Sequence, residues 1–155
     1  MSSELPSTMA CLYASLALSG AIATGDAVLA AQAMGADFGY IGSAFIATEE
    51  ARASDAYKQA IVDGDSDDIV YSNLFTGVHG NYLAPSIRAA GMDPNNLPES
   101  DPSKMNFGGN STKAWKDIWG CGQGIGAVQA VTTTAALVAR LRSEYNAARA
   151  RLLAV

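Results

Sequence analysis

An apolar run from Tyr13 to Leu18 breaks at Gly20. An Ala-rich stretch from Asp26 to Ala36 follows, and Phe38-Gly-Tyr-Ile41 is again short and apolar. The lengths of these runs and the breaks between them predict a strand, a tight turn, a helix and a second, buried strand. Thr24 is placed to cap the helix, Asp26 in its first turn complements the helix dipole, and Gly35 is its left-handed stop. By the i, i+4, i+5 spacing, Leu29, Ala33 and Met34 are expected to face inward.

Ser54-Asp55 opens another helix running through Val62, with Tyr57, Ala60 and Ile61 on one side and Lys58 opposite. The acidic run Asp63 to Asp68 reads as a solvated turn. As a calcium loop starting at Asp63 it would need a bidentate Glu at its twelfth position, where Leu74 stands. Ile69 to Tyr71 is a short extended piece. Phe75 to Asn81 is a Gly-punctuated loop into a short helix with Pro85 in its first turn and Gly91 at its end. Met92 to Thr112 has little period and reads as a surface excursion or lid, and Trp115 to Trp119 as one or two helical turns before Gly122-Gln-Gly-Ile-Gly126. The closing helix carries a stripe of Leu137, Val138, Leu141, Tyr145, Ala148 and Leu152. Thr132 or Thr133 caps it, and Arg140 and Glu144 form an exposed i, i+4 pair.

The chain has 155 residues, 49% hydrophobic and 16% charged, enough to bury one sizeable core as a single domain or a piece of a larger one. A net charge of −5 with scattered basic residues argues against a nucleic-acid partner. Cys11 and Cys121 have no partner at metal-ligand spacing, and the single His cannot complete a zinc set with them, so a reducing cytoplasm is the simpler assumption. The apolar stretch Met9 to Ile22 lacks the basic leader of a secretory signal and is too short to span a bilayer. A soluble, cytoplasmic chain with no membrane partner is expected.

Two parallel strands put both following turns at the same edge, so the amides of Gly20 and Ala21 can face those of Gly42 and Ser43. Together with the nearby helix start, these amides suit an anion such as a phosphate. Plain tight turns remain the alternative. A β-branched residue at Gly42 is expected to block close backbone approach and to strain a turn of positive φ. His79 reads as an ordinary loop histidine. Glu49-Glu50 and Asp67-Asp68 are sequence neighbours whose side chains point apart, so neither is an acid–base pair. Tyr13, Tyr40, Trp115 and Trp119 read as core or interface aromatics. Gly122-Gln-Gly-Ile-Gly126 does not follow a strand, so it is no dinucleotide fingerprint, but it permits close backbone approach to something.

Ser19-Gly-Ala-Ile-Ala-Thr-Gly25, Ala30 to Asp37, Ile41 to Glu49 and Trp115 to Gln123 together resemble the nitronate monooxygenase family, formerly 2-nitropropane dioxygenases, over roughly Leu16 to Ala148. The resemblance implies an α/β fold: the carboxyl-terminal part of an FMN-binding TIM (β/α)8 barrel, its last two strands and helices, with a helical and loop insertion. The chain is then one partial domain. Residues 13–62 form a phosphate-binding βαβα unit, 63–113 the insertion, and 114–155 the return to the barrel and the last helix. The cofactor implied is FMN, bound by Gly20, Ala21, Tyr40, Ile41, Gly42 and Ser43. The family's second glycine is Ala21 here and its Thr is Ser43. The substrates implied are a nitronate or nitroalkane and dioxygen. The family's six earlier strands and catalytic histidine have no counterpart upstream of Tyr13, and no catalytic residue is assigned to this chain. By itself the chain is expected to be inactive and to self-associate through unpaired barrel edges. The rivals are a flavin-dependent enoyl-thioester reductase of the same barrel family and a truncated, non-catalytic remnant.

Overall fold

The computed structural model describes residues 16–100 and 117–154. Strand β1 is Ala17–Ser19, helix α1 Gly25–Ala33 and strand β2 Phe38–Tyr40, with β1 and β2 parallel and Ser19 opposite Tyr40. The expected first strand began at Tyr13. Residues 13–15 lie outside the described residues, and the ladder runs one residue further than expected, to Ser19. Thr24 caps α1, its hydroxyl accepting the Ala27 amide at 3.2 Å, and Gly35 turns the chain at φ +93°.

Two expectations for this unit fail. Phe38 and Tyr40 are 61% and 67% exposed, so β2 is not a buried strand. Among the described residues the sheet has two strands, and α1 covers one of its faces; Leu18 packs with Ile22, Val28 and Ala31 on that side. Alternation then leaves Phe38 and Tyr40 on the open face. The inward face of α1 is Gly25, Val28 and Ala31, while Ala33 and Met34 are exposed and Leu29 is half-buried. The inward stripe is rotated because α1 is gripped on two sides, by the sheet and by the closing helix.

Helix α2 is a single turn, Ser43–Ile46, and helix α3 is Asp55–Asp63, capped by Ser54. Ile61 of α3 is fully buried, with Tyr57 and Ala60 packed beside it. Lys58 is also buried, contrary to expectation, and its ammonium donates to the Glu49 carbonyl at 3.1 Å. The long stem lies under protein while the charged end finds a backbone acceptor. The acidic run folds into a 3-10 turn, Ser66–Asp68, in which Asp65 and Asp68 accept local backbone amides.

Strand β3, Ile69–Ser72, pairs antiparallel with β4, Gly80–Leu83, where a loop was expected, and helix α4 follows as Ala84–Ala89. Tyr82 and Leu83 are buried, which makes the strand despite Gly80 and Asn81 at its start. Trp119 and Cys121 extend this hairpin: Leu83 N–H donates to Trp119 O at 2.8 Å and Cys121 N–H to Asn81 O at 3.1 Å. Of the expected excursion from Met92 to Thr112, residues 101–112 lie outside the described residues, as do Trp115 and Lys116.

Helix α5, Thr134–Leu153, closes the chain, with Thr133 as its cap. Leu137 and Ala148 are buried and Leu141 and Tyr145 half-buried, but Val138 and Leu152 are exposed. Glu144, by contrast, lies against α1, where its carboxylate accepts the Gly25 amide. The main core joins Ala44 of α2, Ala47 just after it, Ile61, Leu83, Ile125, Val128 and Leu137. Among the described residues no helix is long and apolar enough to cross a membrane.

Candidate functional site

Because β1 and β2 run parallel and in register, the chain leaves both strands at one edge of the pair. After Ser19 it turns through two consecutive left-handed residues, Gly20 at φ +105° and Ala21 at φ +49°. Gly20 adopts this freely, whereas Ala21 carries a steric cost of roughly 1–2 kcal/mol. Gly42 is at φ −108°, so the positive φ expected there is not found, and a Cβ on it would stand in open space.

Between these turns is a cavity of about 150 Å³. Gly20, Ala21, Tyr40, Gly42 and Ser43 line it, together with Gly122 and Gly124. Ile41 does not line it; its side chain packs beneath, against both neighbouring apolar clusters. The volume is about half the lower bound of a typical small-molecule pocket, ~300 Å³, and suits one anionic group rather than a whole ligand. Among the described residues the amides of Gly20, Ala21, Gly42 and Ser43 have no protein acceptor. Among the described residues of the lining, Tyr40 carries the one phenol.

The start of α1 does not take part as expected. The Gly25 amide is held by the Glu144 carboxylate at 2.8 Å and the Ala27 amide by Thr24, and neither Thr24 nor Gly25 lines the cavity. The glycines at 122 and 124 take part instead. Gly122 N–H donates to the Ser43 hydroxyl at 2.7 Å, and a Cβ on Gly124 would sit 3.0 Å from the carbonyl carbon and oxygen of Ala21. The close approach that the Gly-x-Gly spacing permitted is an approach to Ala21. Spacing alone could not name that partner, because the β4 pairing of Trp119 and Cys121 is what delivers the loop there.

The other candidates lie elsewhere. His79 is exposed on the β3–β4 hairpin and stacks on Tyr71 with ring centroids 4.8 Å apart. Glu50 accepts the Thr134 amide at the start of α5, and that hydrogen bond lowers its pKa below the ordinary carboxylate value. Burial pushes the Cys121 thiol up to about 11, so at neutral pH it is not a thiolate nucleophile. A larger cavity, about 660 Å³, lies between α4 and Trp119, but the Ser86 hydroxyl on its wall is spent on Leu83 O and Trp119 N–H.

The nitronate monooxygenase family model matches residues 16–144, which contain both turns, the Gly122–Gly124 loop and the first half of α5. The chain belongs to the nitronate monooxygenase family. That family is one of flavin-dependent oxidoreductases. Among solved structures, a nitroalkane oxidase from Streptomyces ansochromogenes is 26% identical with a TM-score of 0.66, over 87% of this chain and 40% of the other. Two structures of FabK from Thermotoga maritima are 19% identical with a TM-score of 0.63, over 89% of this chain and 44% and 46% of theirs. The chain thus spans less than half the length of the structures it matches. These are TIM-barrel proteins, and this nitronate monooxygenase-family chain matches part of their barrel; its described residues hold no closed barrel. No curated protein matches it in sequence.

Proposed function

We propose that the pocket between the Gly20–Ala21 and Gly42–Ser43 turns binds the phosphate of FMN, and that the chain serves the flavin-dependent oxidation of alkyl nitronates by dioxygen. The observation that carries the reading is that two turns, whose four amides have no acceptor among the described residues, line one small cavity at the strand ends. Among the described residues the lining carries neither a carboxylate nor a cationic side chain, so the attraction they offer would come from backbone N–H groups.

The residues fit the group. The cavity takes one phosphate and leaves the rest of the cofactor outside, beside the exposed ring of Tyr40. Bound FMN would supply the electron-accepting ring and the chemistry with oxygen. The chain's own part is to hold and orient it. The residues named here are proposed as anchors for the cofactor, with no proton-transfer role assigned to them. Nitronate oxidation is preferred to enoyl-thioester reduction because the nitroalkane oxidase is the more similar in sequence, whereas the likeness to FabK at 19% identity supports the fold alone.

The test is a titration of the purified chain with FMN and with riboflavin, followed by quenching of flavin fluorescence. A phosphate anchor requires FMN to bind more tightly than riboflavin. Equal affinities would remove the reading. Oxygen uptake with a nitronate and FMN is expected to stay at background, and FMN-dependent uptake above it would mean that these 155 residues contain the proton-handling group.

A further inference from the structure

We propose that the Gly122–Gly124 loop is the third wall of the phosphate pocket and that Ser43 is the positioning residue that holds it there; this rests on the reading just given. The Ser43 hydroxyl accepts the Gly122 amide at 2.7 Å across 79 residues of sequence. A hydroxyl that accepts one hydrogen bond keeps its own proton to donate. Ser43 can therefore hold the loop and reach an anion at the same time. On the opposite side Gly124 is pressed against the peptide of Ala21, where a Cβ would be 3.0 Å from backbone atoms that have no freedom to swing aside. The loop thus touches one residue of each turn and bridges them.

Its far end is fixed independently. Trp119 and Cys121 are hydrogen-bonded to Leu83 and Asn81 of β4, and Ile125, just beyond the loop, is fully buried in the main core. The loop is therefore held from both ends, and its two glycines are where its backbone meets the pocket. The β3–β4 hairpin would be coupled through this loop to the cofactor's phosphate end.

The test uses the full chain, with FMN and riboflavin affinities measured for Ser43→Ala, Ser43→Thr and Gly124→Ala, and with the Gly122 amide followed by NMR. Ser43→Ala is expected to lose about tenfold in FMN affinity with riboflavin unchanged, a loss of roughly 1.4 kcal/mol. Ser43→Thr is expected to restore it. Gly124→Ala removes no hydroxyl, yet it should also weaken FMN selectively by pushing the loop off Ala21, and the wild-type Gly122 resonance should shift when FMN is added. If only Ser43→Ala weakens FMN and the Gly122 resonance stays still, the hydroxyl is a direct contact and the loop is no wall, which overturns the inference while the phosphate reading stands. If the wild type binds FMN no tighter than riboflavin, the phosphate reading has failed, and the inference with it.

Discussion

The carboxylate of Glu144 accepts the backbone amide of Gly25 at 2.8 Å, joining residues 119 apart in sequence. Arg140 completes the grip: its guanidinium pairs with Glu144 at 3.0 Å and donates to the Ala23 carbonyl at 3.2 Å. One turn of α5 therefore holds the segment that leads out of the Gly20–Ala21 turn. The pair was expected to be exposed, but it is partly covered, and Glu144 acts as the acceptor at the start of α1. Glu144→Ala should cost about 1–2 kcal/mol, the value of a charged hydrogen bond reduced for partial exposure. In a double-mutant cycle with Arg140→Ala, urea unfolding should show that the two losses are not additive. Additive losses would mean that the two side chains do not act as a unit.

Gly25 itself should tolerate no side chain. A Cβ there would lie 2.1 Å from Leu141 O and 2.3 Å from Tyr145 N, both backbone atoms of a long helix that cannot move singly. Gly25→Ala should destabilise by about 3 kcal/mol or more through forced separation of α1 from α5. Leu29→Ala, on the half-buried side of α1, should cost less in the same denaturant series.

The Gly25 contact also shows what the sequence could and could not disclose. The cap at Thr24, the stop at Gly35, the cap at Thr133 and the pair of turns were legible because each depends on residues close together in the chain. Which face of α1 is buried was not, since it depends on Glu144 and Leu141. Lys58 was placed outside because helical period assigns it there, and only the fold reveals the Glu49 carbonyl that receives it. The site was half legible: Gly20, Ala21, Gly42 and Ser43 follow from local breaks, whereas Gly122 and Gly124 reach them only through the β4 pairing. Phe38 and Tyr40 read as buried because the sequence shows apolar character, not how many strands flank it.

Acid should loosen α5 at its start. The Thr134 amide holds Glu50 below the ordinary carboxylate pKa, so the folded state favours the charged form. A depressed folded pKa gives stability that is present above the unfolded value of about 4.3 and is lost as pH falls through the lower folded value. Glu50→Gln should make unfolding less pH-dependent in that window, below about pH 4.3. An unchanged slope would mean that the Glu50 contact to Thr134 does not persist in solution.

Alkali should act on Tyr57 and Cys121. Burial pushes the Tyr57 phenol up to about 12, with the neighbouring Cys121 charge adding to it, and the Cys121 thiol up to about 11. Both raised values favour the protonated, folded form. The stability they contribute is therefore complete below the unfolded values, about 8.5 for Cys and 10 for Tyr, and is lost as pH rises through the folded ones. Cys121 should react with an alkylating reagent at half its maximal rate only near pH 11. Half-maximal alkylation close to pH 8.5, the value of a free thiol, would show that Cys121 is not packed half-buried beside Trp119.

The last prediction separates strain from occupancy at the two turns. Gly20 sits at φ +105°, so Gly20→Val should destabilise the fold whether or not anything binds. Gly42 sits at φ −108° with open space around its would-be Cβ, so Gly42→Val should leave the melting temperature nearly unchanged. The methyl groups would, however, stand at the wall of a cavity of only about 150 Å³, in the volume proposed for the phosphate. Gly42→Val is thus expected to weaken FMN by more than about tenfold, 1.4 kcal/mol, without weakening riboflavin. Ala21→Gly should do the opposite, relieving roughly 1 kcal/mol of left-handed strain while keeping the amide. A folded Gly42→Val protein that binds FMN as tightly as the wild type would mean that the cavity between the turns does not hold the phosphate.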